Sequence, residues 1–374
     1  MKHSGTEKFE VSTLHYHSIV EVVKEKLRNQ QDSRFFHYAP HESLWQSSDQ
    51  SPKTRIYSKL YNSNAFIRAH KEVHDPAKNP QCSLPRVIVG LMFWLDQTHL
   101  TSFGGSKVWP LYMCFANESK YRPCKPNSDL CHQVAHFETL PDHIKDFITK
   151  RTEGKVQDKH LSFLNREVFH EQWSILLDEE LKDAIENGIV LMCHDGVLRC
   201  FYIRIFTYSA DYPEKILLAG IKQGNCPCPQ CLVSKENLHK LGMPEDTKTR
   251  ETQLRTYDSA VVLVVEAART AIFERGAAVQ GTTVDAFLKD THGVVANQNT
   301  FGVKLASIGF DICSVLVVDL LHEFEIGVWK SLFIHLMRLL NAIQHYVFSA
   351  SSFQSFTVNS ILLSTSGVSK EISS

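Results

Sequence analysis

The sequence predicts an α/β protein in which a mixed sheet is flanked by helices. Three apolar runs have the length of strands and are rich in β-branched and aromatic residues: Val87–Leu95, Val108–Phe115 and Val197–Tyr208. Two other segments, 171–187 and 259–275, repeat apolar residues at helical spacing. Of the 374 residues, 43% are hydrophobic and 22% are charged, which is typical of a folded protein with a large core.

The charge and cysteine content limit the classes of function. The formal net charge is −1, so any DNA contact would have to come from local basic patches, at Lys145–Lys155 or Lys248–Arg255. Such runs are more often solvated faces of the protein. The 10 cysteines are scattered along the chain, which favours a reducing compartment over a disulfide framework.

Targeting and membrane signals are not expected. The N-terminal stretch MKHSGTEKFEV lacks the apolar segment of a signal peptide, and no apolar run approaches the length that crosses a bilayer. The sequence therefore predicts a nuclear or cytosolic protein with no membrane partner.

The elements can be placed in order along the chain. Pro85 precedes the first strand, which ends on Asp96, and a Gly104-Gly105 turn joins this strand to the second as a hairpin. The remaining predicted elements are a helix at 171–187 stopped by Gly188, strands at 189–193 and 197–208, a helix opened by Pro213, a helix at 259–275, a buried strand at 312–318 and an apolar amphipathic helix from His322.

These elements group into five regions. They are an irregular helical N-terminal region (1–84), the first part of the core (85–225), a Cys/His element with a helical insertion (226–300), the last strand and helix of the core (301–348) and a disordered, serine-rich tail (349–374).

Three acids are candidates for a metal-dependent site. Asp96 and Asp211 follow strands, where a turn or helix-capping role is the simpler interpretation. Glu325 shares a predicted helix face with apolar residues, and a carboxylate in such a place needs a partner, a metal ion or a shifted pKa. Glu323 and Asp319 are close alternatives to Glu325, and spacing alone does not choose among them.

A second candidate site is the cysteine-rich turn Cys226-Pro-Cys228-Pro-Gln-Cys231, which His239 follows. Two thiolates in a C-x-x-C turn can reach one tetrahedral ion, so Cys228, Cys231 and His239 are candidate ligands of a structural zinc ion, with Cys226 as a possible fourth. The alternative is a group of buried or free thiols.

Several long motifs, taken together in their order, resemble the Plavaka-type transposases of fungal DNA transposons, which belong with the Kyakuja-Dileera-Zisupton group and are similar to the CACTA superfamily. The motifs are FHYAPHESLWQ, TRIYSKLYNSNAFIRAH, RVIVGLMFWLDQTHLTSFGGSKVWPLYM, RIFTYSADYPEKILLAGI, CPCPQCLV and VVDLLHEFEIGVWKSLFIHLMRLL.

The resemblance implies a fold and an activity. The fold is an RNase H-like catalytic core with a Cys/His insertion, and the activity is DNA strand cleavage and transfer by a DDE triad with Mg²⁺ or Mn²⁺. The triad maps onto Asp96, Asp211 and Glu325, because the acid three residues before the valine of EIGV is Glu325 rather than Glu323. The implied partners are DNA at the transposon ends and a second copy of the chain in a homo-oligomer, and the implied location is the nucleus.

The chain also departs from the family pattern. Family members continue with more helical chain after the third acid, RCFYIRIF lacks a proline before RIF, and Gln97 stands where a small residue is common. The sequence therefore predicts a C-terminally truncated transposase with impaired activity. The alternative is a catalytically inactive remnant that acts as a DNA-binding or interaction protein.

Overall fold

The computed structural model describes residues 13–77, 83–96, 98–99, 107–119, 131–151 and 158–348. The chain divides into two compact units, Met1–Asp319 and Leu320–Ser374. The predicted Gly104-Gly105 turn, the serine-rich tail and Lys155 of the first basic patch lie outside the described residues.

The first unit contains a mixed sheet of eight strands and a separate hairpin of two. The path of the large sheet is β1-β7-β6-β4-β9-β10, with β5 beside β6 and β8 beside β9, and the hairpin is β2-β3. The strands are β1 (His15–Tyr16), β2 (Ser43–Trp45), β3 (Thr54–Ile56), β4 (Arg86–Leu95), β5 (Thr98–His99), β6 (Lys107–Phe115), β7 (Cys131–Phe137), β8 (Ile189–Met192), β9 (Leu198–Ser209) and β10 (Leu316–Val317).

Parallel and antiparallel pairs meet at β4. This strand pairs antiparallel with β6 on one side and parallel with β9 on the other, and β9 pairs parallel with β10. The expected β4–β6 and β8–β9 antiparallel pairs are therefore confirmed, as is the mixed α/β fold class.

The helices surround the sheet and connect its strands. Those of the first unit are α1 (Ile19–Arg28), α2 (Gln30–Ser33), α3 (Asn64–Val73), α4 (Asp142–Arg151), α5 (Asp158–Leu176), α6 (Glu179–Glu186), α7 (Tyr212–Leu218), α8 (Pro244–Thr252), α9 (Ser259–Phe273), α10 (Thr282–Leu288), α11 (Thr300–Leu305) and α12 (Ile312–Val315). Short 3₁₀ turns lie at Leu60–Asn62, Lys235–Lys240 and Ala306–Ile308.

Side-chain caps explain two differences from the sequence prediction. The helix predicted at 171–187 is two helices, because Asp178 accepts the backbone N–H of Leu181 at 2.8 Å and begins α6. The strand predicted at 312–318 is a helical turn, α12, followed by the two residues of β10. Asp311 caps that turn by accepting the N–H of Cys313 at 3.1 Å.

Trp173 of α5 is the centre of the core. Its ring lies 5.6 Å from Phe93 of β4, 5.6 Å from Phe137 of β7, 5.7 Å from Tyr208 of β9 and 4.9 Å from Phe301 of α11. All five side chains are buried. Aromatic pairs of this kind add about 0.5–1.5 kcal/mol each beyond the burial of their area. Trp173 therefore fixes α5 against three strands of the sheet, β7, β4 and β9.

The second unit begins with a π-helical segment, Leu320–Trp329, and continues as α13 (Lys330–Phe348). The predicted helix is present, but the face assigned to His322, Glu325 and Trp329 assumed α-helical spacing. In a π-helix the hydrogen bonds join residues five apart, so that face assignment is corrected.

One described helical stretch, Leu320–Gln344, is long and apolar enough by length and composition to cross a membrane, with a mean hydropathy of 1.2. The expectation that no run approaches that length was wrong, because the few charged residues are spread thinly among apolar ones. A single helix of this kind is weak evidence for a membrane protein, since core helices of soluble proteins share its composition.

Candidate active site

The ends of β4 and β9 carry the first two predicted acids. The last pair of residues in register between β4 and β9 is Trp94 and Ser209. Asp96 and Asp211 each lie two residues beyond this pair. Because the strands are parallel, their carboxyl ends meet at one edge of the sheet, which is where ligand sites form in open α/β folds.

A β-bulge sets this alignment. Leu91 pairs with Ile205 but the next residue, Met92, pairs with Thr207, so Phe206 is an extra residue in β9. If the pairing continued from Leu91 and Ile205 without a bulge, Asp96 would be level with Ala210. A shift of one residue turns side chains to the opposite face of a sheet. The bulge therefore brings Asp211 into register with Asp96.

Asp211 also caps the helix that follows it. Its side chain accepts the backbone N–H of Glu214 at 2.9 Å, and Pro213 occupies the first turn of α7. The capping role that sequence alone suggested is therefore present. It orients the carboxylate at the helix N-terminus, where the helix dipole complements its negative charge. Asp96 is exposed and Asp211 is half-buried.

Glu214 is a site residue that the sequence reasoning missed. Its side chain is buried, accepts the Tyr208 hydroxyl proton at 3.1 Å and accepts the Trp109 indole N–H at 3.3 Å. Burial raises the pKa of this carboxyl well above its usual range, and the negative charges of Asp211 and Asp96 raise it further. The charges of both acids at the sheet edge thus affect the pKa of this one carboxyl. The D-x-x-E spacing from Asp211 was the signal that could have drawn attention to it.

The candidates for the third acid lie in different units of the chain. Glu325 and Glu323 lie in the π-helical segment of the second unit. Asp319 is the last residue of the first unit and lies two residues beyond the register pair Val317–Ser209 of β10 and β9. Asp319 is therefore at the same distance past its strand pair as Asp96 and Asp211 are past theirs.

The chemistry of the donors at this edge suits hard divalent ions. Carboxylate oxygens are the ligands that Mg²⁺ and Mn²⁺ prefer. In the part of the chain that the structure describes, no three His, Cys, Asp or Glu side chains are gathered closely enough to hold a metal ion. Asp96 and Asp211 therefore supply two ligands of the kind that binds such an ion, at one edge of the sheet in the first unit.

The cysteine-rich turn brings two of its predicted ligands together. The thiols of Cys228 and Cys231 interact, and this contact and burial raise the pKa of Cys231, with burial the larger cause. Cys226 instead donates its thiol proton to the Leu232 carbonyl at 3.3 Å, and a ring nitrogen of His239 lies 2.7 Å from the Glu236 carbonyl. The pair of thiols fits half of a zinc site, and the complete zinc site stays a prediction.

Two of the three basic residues in the patch Lys248–Arg255 have structural contacts, whereas Lys248 is exposed. The Arg255 guanidinium is buried and donates to the backbone carbonyls of Cys226, Cys228 and His292 at 3.0–3.1 Å. Arg250 pairs with Asp246 at 2.8 Å. The Arg255 contacts join the cysteine-rich turn to residue His292 of the first unit, and the Arg250 ion pair lies within α8.

A sequence model described as Plavaka transposase matches residues 1–337 of the 374-residue chain. No curated protein matches the chain with significant similarity.

Proposed function

Since the chain belongs to the Plavaka transposase family, we propose that it performs DDE-type cleavage and transfer of DNA strands with divalent metal ions. The observation that carries this proposal is the alignment of Asp96 and Asp211 on adjacent parallel strands. Two carboxylates at one strand edge are the minimum that a metal-dependent phosphoryl-transfer site of this kind needs.

The proposal extends to an RNase H-like core. The order β7-β6-β4-β9-β10 supports it, because an antiparallel meander on one side of β4 is followed by two parallel strands on the other. The first acid then follows the central strand β4, and the second follows its parallel neighbour β9.

The residues at the edge have distinct roles. Asp96 and Asp211 would hold the metal ion, and Mg²⁺ or Mn²⁺ when bound supplies positive charge that polarises the scissile phosphate. The Glu214 N–H fixes the Asp211 carboxylate through the cap. The raised pKa of Glu214 favours its neutral form, so it adds little repulsion toward the two acids that must stay charged.

The third ligand is proposed to be Glu325, on the basis of the family motif EIGV. Asp319 is the specific rival, because its position beyond β10 repeats that of the two aspartates. The proposal places the protein in the nucleus, where its DNA substrate is found.

A plasmid-nicking assay with Mn²⁺ tests the function. We expect the wild-type chain to convert supercoiled plasmid to the open-circular form, and Asp96→Asn and Asp211→Asn to reduce this rate by about 100-fold or more. Asn retains N-cap ability, so Asp211→Asn removes the charge while keeping the start of α7. Asp49→Asn, at an exposed position outside the edge, is the matched control.

The alternative, a catalytically inactive remnant, predicts a different result. Purified wild-type protein would then bind DNA without metal-dependent nicking, and the Asp96 and Asp211 variants would be indistinguishable from it. Nicking that persists at the wild-type rate in both variants would overturn the assignment of the two acids.

A further inference from the structure

A cleft of about 350 Å³ lies in the first unit beside α5. Its walls come from the N-terminal half of α5, from Lys222 after α7, from α10 and from residues 294–297. Three of the lining residues are cationic, Lys159, Arg166 and Lys222, and Asp285 is the acidic one. We call the group of Lys159, Arg166 and Lys222 the basic cleft.

Arg166 carries a charge that is not neutralised within the described chain. Its side chain is half-buried, and burial lowers the pKa of its guanidinium. The described residues form no ion pair with it. The contrast is with Arg269, which Glu167 holds through two hydrogen bonds of 2.6 and 2.8 Å. A partly desolvated guanidinium without an acidic partner is a favourable place for an anion.

The acid in the cleft offsets little of the charge. Asp285 lies 3.7 Å from the Lys222 ammonium, and more than half of each side chain is exposed. An exposed pair of this kind contributes little stability, so an incoming phosphate can replace it. Lys159 has no ion pair with the residues that the structure describes. The cleft therefore keeps a net positive lining.

The basic cleft lies toward the end of the sheet at which the two acids are found. Trp173 of α5 packs on Phe93 and Tyr208, near the ends of β4 and β9. One turn earlier, Phe169 packs 5.3 Å from Trp109, which lies two residues before Leu111, the residue paired with Leu95. The helix thus runs past the strand ends toward its N-terminus. At 1.5 Å per residue, Arg166 and Lys159 lie roughly 5 Å and 15 Å along the helix axis from Phe169, which is level with that edge.

That separation matches a short length of nucleic acid. At a rise of 3.4 Å per nucleotide, roughly 5–15 Å corresponds to about one to four nucleotides. Guanidinium and ammonium groups are the usual contacts of DNA phosphates, and they position the duplex without reading its bases. We propose that the basic cleft binds the phosphodiester backbone of DNA a few nucleotides from the strand held at Asp96 and Asp211. This inference rests on the proposed function for the identity of the substrate.

The test is DNA binding by the full chain in EDTA, measured by fluorescence anisotropy on a short labelled duplex between about 50 and 200 mM salt. The variants are Arg166→Gln and the double variant Lys159→Ala/Lys222→Ala. We expect Arg166→Gln to weaken binding by about 5–10-fold and to flatten the slope of log affinity against log salt by about 0.9. The double variant removes two cations, so it should flatten the slope by about 1.8. Thermal melting confirms that the variants are folded.

Arg28→Gln and Lys53→Ala are the matched controls, since both residues are exposed and lie outside the cleft. They should leave the affinity and the salt slope unchanged. Equal slopes for cleft variants and wild type would overturn the inference, even if the protein nicks DNA. Because the assay contains no metal, loss of binding in the cleft variants would support the inference even if the nicking assay shows no activity.

Discussion

Asp96 and Asp211 lie at equal distances, two residues, beyond the last register pair of β4 and β9. This relationship depends on the bulge at Phe206, because a regular pairing would have offset the two acids by one residue and turned one of them to the other face. The extra residue is itself anchored, since Phe206 stacks on Phe66 with ring centroids 4.9 Å apart. A packing contact remote from the acids thus maintains their alignment.

The third acid can be identified by comparing three variants in the Mn²⁺ nicking assay. We expect Glu325→Gln to lower the rate by about 100-fold, because the family motif assigns the third ligand to this position. Glu323→Gln, in the same π-helical segment, is the control and should stay near wild type. Loss of activity in Asp319→Asn with retention in Glu325→Gln would contradict the assignment and move the third ligand to the end of β10.

Glu214 should prove important to stability through its two buried hydrogen bonds. Replacing it by Ala leaves the Tyr208 hydroxyl and the Trp109 indole without their acceptor, which we expect to cost about 1–3 kcal/mol in the free energy of unfolding. Gln resembles the neutral carboxyl in shape and bonding, so Glu214→Gln should retain most of the stability. Urea denaturation followed by fluorescence would measure both variants. Equal midpoints for Glu214→Ala and wild type would show that these bonds contribute nothing.

His170 should make stability depend on pH in the acid range. Burial lowers the pKa of its imidazole to about 4, and its Nε2 lies 3.2 Å from the Leu217 carbonyl. The unfolded chain, with a pKa near 6.5, binds the proton more readily. The stability from the neutral ring is therefore present above about pH 6.5 and lost as pH falls toward 4, by up to about 3 kcal/mol.

Thermal melting between these pH values checks this, with His170→Gln as the comparison. The variant should lose part of the pH dependence because it has no ring to protonate. A variant whose melting temperature follows pH as steeply as that of the wild type would assign the effect to other groups.

Gly90 should tolerate no larger residue. A Cβ at this position in β4 would lie 2.7 Å from the Cβ of Ala116 and 2.9 Å from the ring of Phe206. We expect Gly90→Ala to destabilise the fold by about 1–3 kcal/mol through overpacking, and to disturb the bulge that aligns the acids. Gly196→Ala tests the same substitution in the open Asp195-Gly196 turn, where no atom crowds the new Cβ but the φ of +76° still adds strain. An unchanged denaturation midpoint for Gly90→Ala would contradict the close packing.

The sequence predicted those parts of the fold that local pattern determines. The strand at Val87–Leu95 is a continuous apolar run that ends at an acid, so its position was clear. The break at Asp178 was missed, because apolar spacing continues through it and only the cap divides the helix. The role of Glu214 was also missed, since Trp109 is 105 residues away in the chain and no local pattern reports that contact. The π-helical form of Leu320–Trp329 was missed as well, because apolar spacing predicts a helix without distinguishing its hydrogen-bond pattern.

The most direct measurement is Mn²⁺ binding to the metal-free chain, followed by electron paramagnetic resonance of free Mn²⁺. If Asp96 and Asp211 together hold a divalent ion, the wild-type protein takes up Mn²⁺, each single Asn variant binds it about 10–100-fold more weakly, and Asp49→Asn binds it like the wild type. Mn²⁺ uptake of equal affinity in wild type and in the Asp96→Asn/Asp211→Asn double variant would contradict a metal site at this edge of the sheet.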